Sequence, residues 1–205
     1  MGKKMINLNP NAPQKGSEIK VDPIKNLEDI NLIKRILKDN LRDLAIFTIG
    51  INTNLRASDL VRIETQQVKY LSAGENFEIK EKKTKKQKRI TLNQTCISAI
   101  QNLLQDKKFN PTGVYVFQSK KTFGMEPLTV QRLHSLVKSW CRKIKLKGNY
   151  GSHTLRKTFG YHQRVTFHAS IEQLMVCFNH SNQRQTLEYL CIQPEEIKKI
   201  YMNEL

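Results

Sequence analysis

The chain has 205 residues, and its 35 Lys and Arg against 18 Asp and Glu leave a formal net charge of +17, with a pI near 9.8. That excess favours a phosphate-bearing partner such as nucleic acid. The length and 39% hydrophobic content allow one substantial core but are short for two full domains. The sequence shows no signal peptide and no apolar run of membrane-spanning length, so we expect a cytoplasmic protein without a membrane partner.

The four cysteines show no CxxC spacing and fit no known zinc-ligand pattern. We therefore expect reduced, buried thiols and no metal. The residues concerned are Cys96, Cys141, Cys177 and Cys191.

The first part of the chain begins with a polar segment. Residues 1–20 contain two prolines and lack an apolar period, which is typical of a flexible leader or linker. Asn26 is suited to cap a first helix that carries Leu27, Ile30, Ile33 and Leu37 on one face. A second helix, roughly Leu41 to Ile51, is apolar enough to lie in the core, and a short third helix begins near Ala57.

A β-hairpin with a basic tip is predicted next. Phe77 to Lys80 and Arg89 to Leu92 alternate apolar and polar residues, and Lys83 to Lys88 lie between them. Beyond the hairpin, the periodicity predicts helices and one short apolar run. The helices are Gln94–Asp106, Val130–Ile144, His153–Val165, Ile171–Phe178 and Gln183–Leu190, and the apolar run is Val114–Phe117. Thr129 can cap the second of these helices, and Ser170 with Gln173 makes a capping box for the fourth. The predicted fold class is therefore mainly α with a small antiparallel β-sheet, an α+β arrangement.

His153 and Arg156 are three residues apart, so on a helix they share a face and can donate to one phosphate. A basic helix face is usually only solvated, so the pair alone indicates little. Arg56, far earlier in the chain, adds a second guanidinium, and two such planar groups can clamp phosphate oxygens. Donors of this kind stabilise charge that develops in a transition state.

The spacing of His180 and Tyr189 predicts a break in the chain. Nine residues separate them, and on one continuous helix they would lie about 180° apart on opposite faces. The stretch from Asn179 to Asn182 is a good helix breaker, with Ser181 available as a cap. A break there allows both side chains to reach one site.

Four segments carry these residues: Asn54 to Leu60, His153 to Arg156, Asn179 to Ser181 and Thr186 to Tyr189. In this order and spacing, from roughly Val21 to Tyr189, the chain resembles the catalytic domain of the tyrosine recombinase (phage integrase) family. The resemblance implies the fold of that DNA breaking-rejoining domain and a 3′-phosphotyrosyl DNA intermediate, formed by Tyr189 and resolved by a DNA 5′-hydroxyl. It implies no metal, ATP or other cofactor. The catalytic residues it implies are Arg56, Lys83, His153, Arg156, His180 and Tyr189.

The resemblance also implies that a hairpin lysine protonates the leaving 5′-oxygen. Counting back from the second strand favours Lys83, while Lys85 and Lys86 stay open because the sequence does not settle the hairpin register. We expect the other basic side chains of the hairpin to grip the DNA backbone. The DNA-binding candidates are Lys82, Lys85, Lys86, Lys88 and Arg89.

Three further positions are informative. Asp59 is either a support that orients Arg56 or its neighbours, or simply an acid stabilised at a helix N-terminus. Asn54 and Asn179 stand where glycine is common in the family. Among residues other than glycine, Asn best tolerates left-handed backbone angles. The turns can therefore keep their conformation with Asn in place of glycine.

The predicted organisation is a leader at 1–20, a catalytic domain at 21–193 and a C-terminal helix at 194–205. That helix either docks on a neighbouring protomer or packs on its own domain. Family members usually carry a further amino-terminal helical domain. The chain is therefore expected to be either a catalytic-domain piece or a naturally single-domain recombinase resembling the fimbrial phase-variation invertases.

The favoured function is a site-specific DNA recombinase or integrase, prokaryotic or phage-encoded and associated with the nucleoid. Its partner would be a double-stranded recombination site, bound as a homotetramer by a protein that is a monomer or weak oligomer when free. One alternative is a catalytically inactive DNA-binding regulator of the same fold. A type IB topoisomerase is less favoured, because it needs a large capping domain for which the chain is too short.

Overall fold

A computed structural model describes residues 21–180, 182–190, 198 and 200–204. The helices are α1 Leu27–Ile36, α2 Leu41–Asn52, α3 Ala57–Leu60, α4 Thr65–Val68, α5 Gln94–Leu104, α6 Val130–Lys143, α7 Ser152–Val165, α8 Ile171–Phe178 and α9 Gln183–Leu190, with a 3₁₀ turn at Lys120–Thr122. The strands are β1 Asn76–Lys80 and β2 Gln87–Thr91. They form an antiparallel pair in which Phe77 faces Ile90 and Ile79 faces Lys88. The predicted mainly α fold with a small antiparallel sheet is confirmed.

The predicted helix starts are confirmed by their capping bonds. The Asn26 side chain accepts from the backbone N–H of Glu28 at 2.8 Å. The Thr129 hydroxyl accepts from the backbone N–H of Arg132 at 3.1 Å. Ser170 and Gln173 form the predicted capping box of α8.

The main core surrounds α2, which packs on α5 and α7 because most of its faces are apolar. Phe47 on α2 meets Trp140 on α6 edge to face, with ring centroids 5.9 Å apart. Gly50 lets α7 come close, since a Cβ there would lie 2.6 Å from Leu155 Cδ1. These contacts place α6 and α7 against α2.

A second, smaller apolar cluster joins α7, α8 and α9. It consists of Leu174, Phe178 and Leu190, with Phe159 and Tyr189 packed against it. Gly160 on α7 makes room for it, since a Cβ there would lie 2.7 Å from Phe178 Cζ. This cluster positions the segment between His180 and Tyr189 on the main body.

Some expectations need correction. Cys177 is exposed rather than buried, because it lies on the outer face of α8, whereas Cys96 and Cys141 are buried as expected. Leu27 is 52% exposed although the periodicity put it on the apolar face of α1. The apolar run from 114 to 117 forms an isolated bridge between Tyr115 and Glu64, and it places Val116 and Phe117 in the core.

Several expectations fall outside the described residues: the leader at 1–20, Ser181 as a cap, Cys191 and most of the C-terminal helix. The Asn182 side chain accepts from the backbone N–H of Gln185 at 3.0 Å, at the start of α9. In the described ranges, no helix has the length and apolar character needed to cross a membrane.

Candidate active site

Arg156 on α7 links two distant turns. Its Nη1 donates to the carbonyl oxygen of Asn54 at 3.1 Å, and its Nη2 donates to the carbonyl oxygen of Phe178 at 3.0 Å. Asn54 lies between α2 and α3, and Phe178 is the last residue of α8. Arg156 is only 3% exposed, so these two bonds satisfy a buried cation.

Both turns have the left-handed backbone that the sequence predicted. Asn54 has a φ of 53° and Asn179 a φ of 56°. The Asn54 amide also donates to the carbonyl oxygen of Cys177 at 2.6 Å, which ties the two turns together. The two asparagines thus adopt the left-handed backbone conformation that glycine adopts most easily.

Arg56, at the start of α3, forms an ion pair with Glu81, which follows β1 directly. The Glu81 side chain is 1% exposed and that of Arg56 16%. Glu81 also accepts from the Thr84 hydroxyl at 2.5 Å and from the Asn179 amide at 3.3 Å. Burial raises the pKa of Glu81, but Thr84 and Arg56 outweigh it and hold that pKa below its usual 4.5. Glu81 is therefore an anion at neutral pH.

Asp59 anchors the hairpin to α3. Its Oδ1 accepts from the backbone N–H of Lys82 at 3.0 Å and from the Ser58 hydroxyl at 3.3 Å. Asp59 is 6% exposed, so these bonds are made away from solvent. It thus contacts the turn that carries Glu81, the partner of Arg56.

Phe178 forms an apolar platform under His180 and Tyr189. The His180 ring stacks on it with centroids 5.2 Å apart, and the Tyr189 ring lies 5.0 Å away. His180 and Tyr189 themselves are 5.8 Å apart, centroid to centroid. Because α8 ends at Phe178 and α9 begins at Gln183, the predicted break is confirmed and both rings reach one platform.

Two cations approach the Tyr189 ring. The Arg156 Cζ lies 5.7 Å and the Lys157 Nζ 5.5 Å from its centroid. The Tyr189 hydroxyl oxygen is shielded from solvent. Nearby positive charge lowers the free-energy cost of removing a proton from a phenol.

His180 is a neutral imidazole. Burial lowers its pKa to about 4, and Arg156 and Arg56 act in the same direction. Its Nδ1 lies 3.0 Å from the hydroxyl oxygen of Thr186, which is fully buried on α9. The histidine is thus held by the same helix that carries Tyr189.

His153 and Lys83 lie at the solvent side of the site. His153 is exposed, yet partial burial of its ring lowers its pKa, and Arg156, Lys157 and Lys83 lower it further. Lys83 is exposed in the turn between β1 and β2. Its effect on His153 places it within electrostatic reach of the site.

The predicted DNA-binding residues separate into two groups. Lys82, Lys85 and Lys86 are exposed in the turn, and Arg89 is exposed on β2, where it pairs with Glu78 at 3.3 Å. Lys88 differs from all of them. It is half-buried and its Nζ reaches the carbonyl oxygen of Asn54 at 3.4 Å.

Sequence reasoning missed Glu81, the Phe178 platform, Lys157, Thr186 and the inward direction of Lys88. Strand alternation could have indicated two of them. Residues 77, 79 and 81 share one side of the first strand, and residues 88, 90 and 92 share one side of the second. Glu81 and Lys88 therefore follow the apolar positions inward. The other residues depend on how α7, α8 and α9 pack.

His, Cys, Asp and Glu side chains do not gather in a group of three or more that could hold a metal ion, as far as the described residues go.

Solved structures with the same fold include recombinases. The crystal structure of XerA recombinase superposes with a TM-score of 0.73 at 14% identity, covering 92% of this chain and 68% of XerA. The post-cleavage complex of XerH site-specific recombinase with palindromic difH substrate gives a TM-score of 0.72 at 17% identity, covering 93% of this chain and 55% of XerH. The fold is that of tyrosine recombinase catalytic domains.

Sequence comparison gives the same class. The chain is 32% identical over 184 residues to "Probable integrase/recombinase YoeC" of Bacillus subtilis, covering 88% of this chain and 95% of YoeC. It is 29% identical over 167 residues to tyrosine recombinase XerC of Caldanaerobacter subterraneus, covering 77% of this chain and 43% of XerC. Residues 24–196 match the phage integrase family. The chain belongs to that family.

The buried ion pair gives a test of site stability. Glu81→Gln removes the charge that Arg56 meets in a shielded place, and we expect the free energy of unfolding at neutral pH to fall by about 1–3 kcal/mol. Because folding lowers the pKa of Glu81, its contribution is fully present above 4.5 and is lost as pH falls through the lower folded pKa. Urea denaturation over a pH series should therefore show the two proteins converging in acid.

The matched control is Glu78→Gln, which removes the exposed pair with Arg89. That change should cost less than about 1 kcal/mol. Equal losses in the two variants would contradict a stabilising role for the Arg56–Glu81 pair.

Proposed function

We propose that the protein is a site-specific DNA recombinase that cuts and rejoins DNA through a 3′-phosphotyrosyl intermediate. The observation that carries this proposal is the approach of Arg156 and His180 to Tyr189 in a recombinase fold. The Arg156 Cζ lies 5.7 Å from the centroid of the Tyr189 ring, and the centroid of the His180 ring lies 5.8 Å from it. A protein that only binds DNA has no need of a phenol surrounded by cations.

In the proposed first step the Tyr189 hydroxyl oxygen attacks the scissile phosphorus. The phenol loses its proton as the new P–O bond forms, and the bond to the 5′-oxygen breaks. Lys83 gives a proton to that leaving oxygen. A 5′-hydroxyl of DNA then reverses these steps on the phosphotyrosyl bond, so the bond energy is retained and no ATP is consumed.

The arginines act on the charge of the transition state. Arg56 and Arg156 donate to the non-bridging oxygens, and His153 and His180 add further donors. Since Glu81 already occupies Arg56, an incoming phosphate has to compete with that carboxylate. The site therefore carries positive charge that can bind an anion, but Glu81 neutralises part of that charge before DNA binds.

The wider proposals concern the whole protein. We assign residues 21–193 to the catalytic domain, 1–20 to a leader or linker and 194–205 to a tail that docks on a neighbouring protomer. The partner is a double-stranded recombination site, which a homotetramer binds in the cytoplasm, on the nucleoid. The charge of +17 and the DNA-bound XerH complex of the same fold support this partner.

The first test concerns the nucleophile. Tyr189→Phe should bind DNA as the wild type does and form no covalent adduct on a nicked suicide substrate, because the attacking oxygen is gone. Denaturing gel electrophoresis of the protein–DNA product measures this. Tyr201→Phe, at an exposed tyrosine, is the matched control and should keep the adduct. Adduct at wild-type level from Tyr189→Phe would exclude the mechanism.

The second test concerns Arg56. Arg56→Lys keeps the positive charge beside Glu81 but loses the planar two-donor geometry. We expect single-turnover cleavage to fall by about 10²–10³-fold with little change in DNA affinity. Arg62→Lys, at an exposed arginine nearby, should cleave normally. A loss confined to binding would contradict a transition-state role.

The third test concerns the general acid. Lys83→Ala should slow cleavage of an ordinary phosphodiester and be largely rescued by a 5′-bridging phosphorothioate, whose sulfur leaves without a proton. Lys85→Ala and Lys86→Ala should weaken binding and reduce its salt dependence, with little rescue. Rescue that follows Lys85 or Lys86 would move the acid to that residue.

A further inference from the structure

Lys88 lies at a position where the alternation along β2 predicts an apolar side chain. On β2 it lies on the same side as Ile90, which is 4% exposed, and it pairs across the sheet with Ile79. Its neighbours Gln87 and Arg89 point to solvent. Burying an ammonium instead of an apolar group costs free energy, so packing does not explain a lysine here.

The head of Lys88 meets Arg156 at a shared acceptor. The Lys88 Nζ lies 3.4 Å and the Arg156 Nη1 3.1 Å from the same carbonyl oxygen, that of Asn54. The two nitrogens can be no farther apart than these distances combined, a span that one phosphate can bridge. An ammonium has three N–H donors, so the bond to Asn54 leaves donors for a second acceptor.

We propose that Lys88 is a further catalytic residue, whose ammonium donates to a non-bridging oxygen of the scissile phosphate alongside Arg156. The inference rests on the proposed function of the same site. Lys88 stabilises the charge that develops on the phosphate and transfers no proton. Lys83 and Lys88 thus have separate tasks, one at the leaving oxygen and the other at the phosphate oxygens.

The electrostatics of the free site agree with this role. Burial lowers the pKa of Lys88 to about 8, Arg156 and Arg56 lower it too, and Glu81 opposes them. Cys177 and His180 are the other titratable groups that interact with it. The lysine is charged below that pKa and neutral above it, and the negative charge of a bound phosphate favours the charged form.

The experiment measures the pH dependence of single-turnover cleavage at subsaturating protein, which reports ionisations of the free enzyme. In the wild type the rate should fall as pH rises above about 8. Lys88→Arg should shift that decline to higher pH, because a guanidinium stays charged. Lys88→Met should cleave about 10²-fold more slowly and lack the decline that begins near pH 8.

Three controls separate this role from others. Lys80→Met, at an exposed lysine of β1, should leave the rate and its pH profile unchanged. Cys177→Ser should also keep the decline, which excludes the thiol as its source. A 5′-bridging phosphorothioate should fail to rescue Lys88→Met, since no proton transfer is lost.

Cleavage by Lys88→Met within about threefold of wild type, an alkaline decline in Lys88→Arg at the same pH as in the wild type, or rescue of Lys88→Met by the phosphorothioate would each overturn the inference. The Lys88→Arg profile decides the matter even if Lys88→Met folds poorly. Absence of any adduct from the wild type would instead refute the proposed function. An active wild type that loses its adduct in Tyr189→Phe keeps that function, whatever the outcome at Lys88.

Discussion

The site depends on the two hydrogen bonds that Arg156 donates to the carbonyl oxygens of Asn54 and Phe178. Each acceptor lies two residues before a site residue, Arg56 in one case and His180 in the other. A buried guanidinium that lost either carbonyl would leave donors unsatisfied, at a cost of about 1–3 kcal/mol. The positions of both turns are therefore coupled through one side chain of α7.

A second constraint is the crowding of positive charge. Arg56, Arg156 and Lys88 share a partly desolvated space with the carboxylates of Glu81 and Asp59. Burial lowers the pKa values of Lys88 and His180, and repulsion from the neighbouring arginines lowers them further. In the proposed reaction, the phosphate that enters the site supplies negative charge to balance these cations.

The proposed site residues lie on two kinds of element, packed helices and an exposed turn. Arg156 and Tyr189 lie on helices that pack on the core, and the Phe178 ring fixes the direction of Tyr189. Lys83 lies in an exposed turn, tied to α3 through the bond between Lys82 and Asp59. Two of the groups proposed to act on the phosphate thus lie on packed helices, while the proposed proton donor lies in an exposed turn.

Local features followed from the sequence alone: the caps at Asn26, Thr129 and Ser170, the break before Tyr189, and the left-handed turn at Asn54. Each depends on backbone sterics or hydrogen bonds within a few residues. The order and spacing of the motif residues also indicated the family. Only the tertiary structure decided the directions of several side chains on the hairpin and on α8. Glu81 contacts Arg56, Lys88 points towards Asn54, and Cys177 is exposed to solvent. The contacts of Glu81 and Lys88 join segments that are far apart in the chain. The burial of a side chain such as Cys177 depends on which other elements pack against its helix. Periodicity within one element reveals neither.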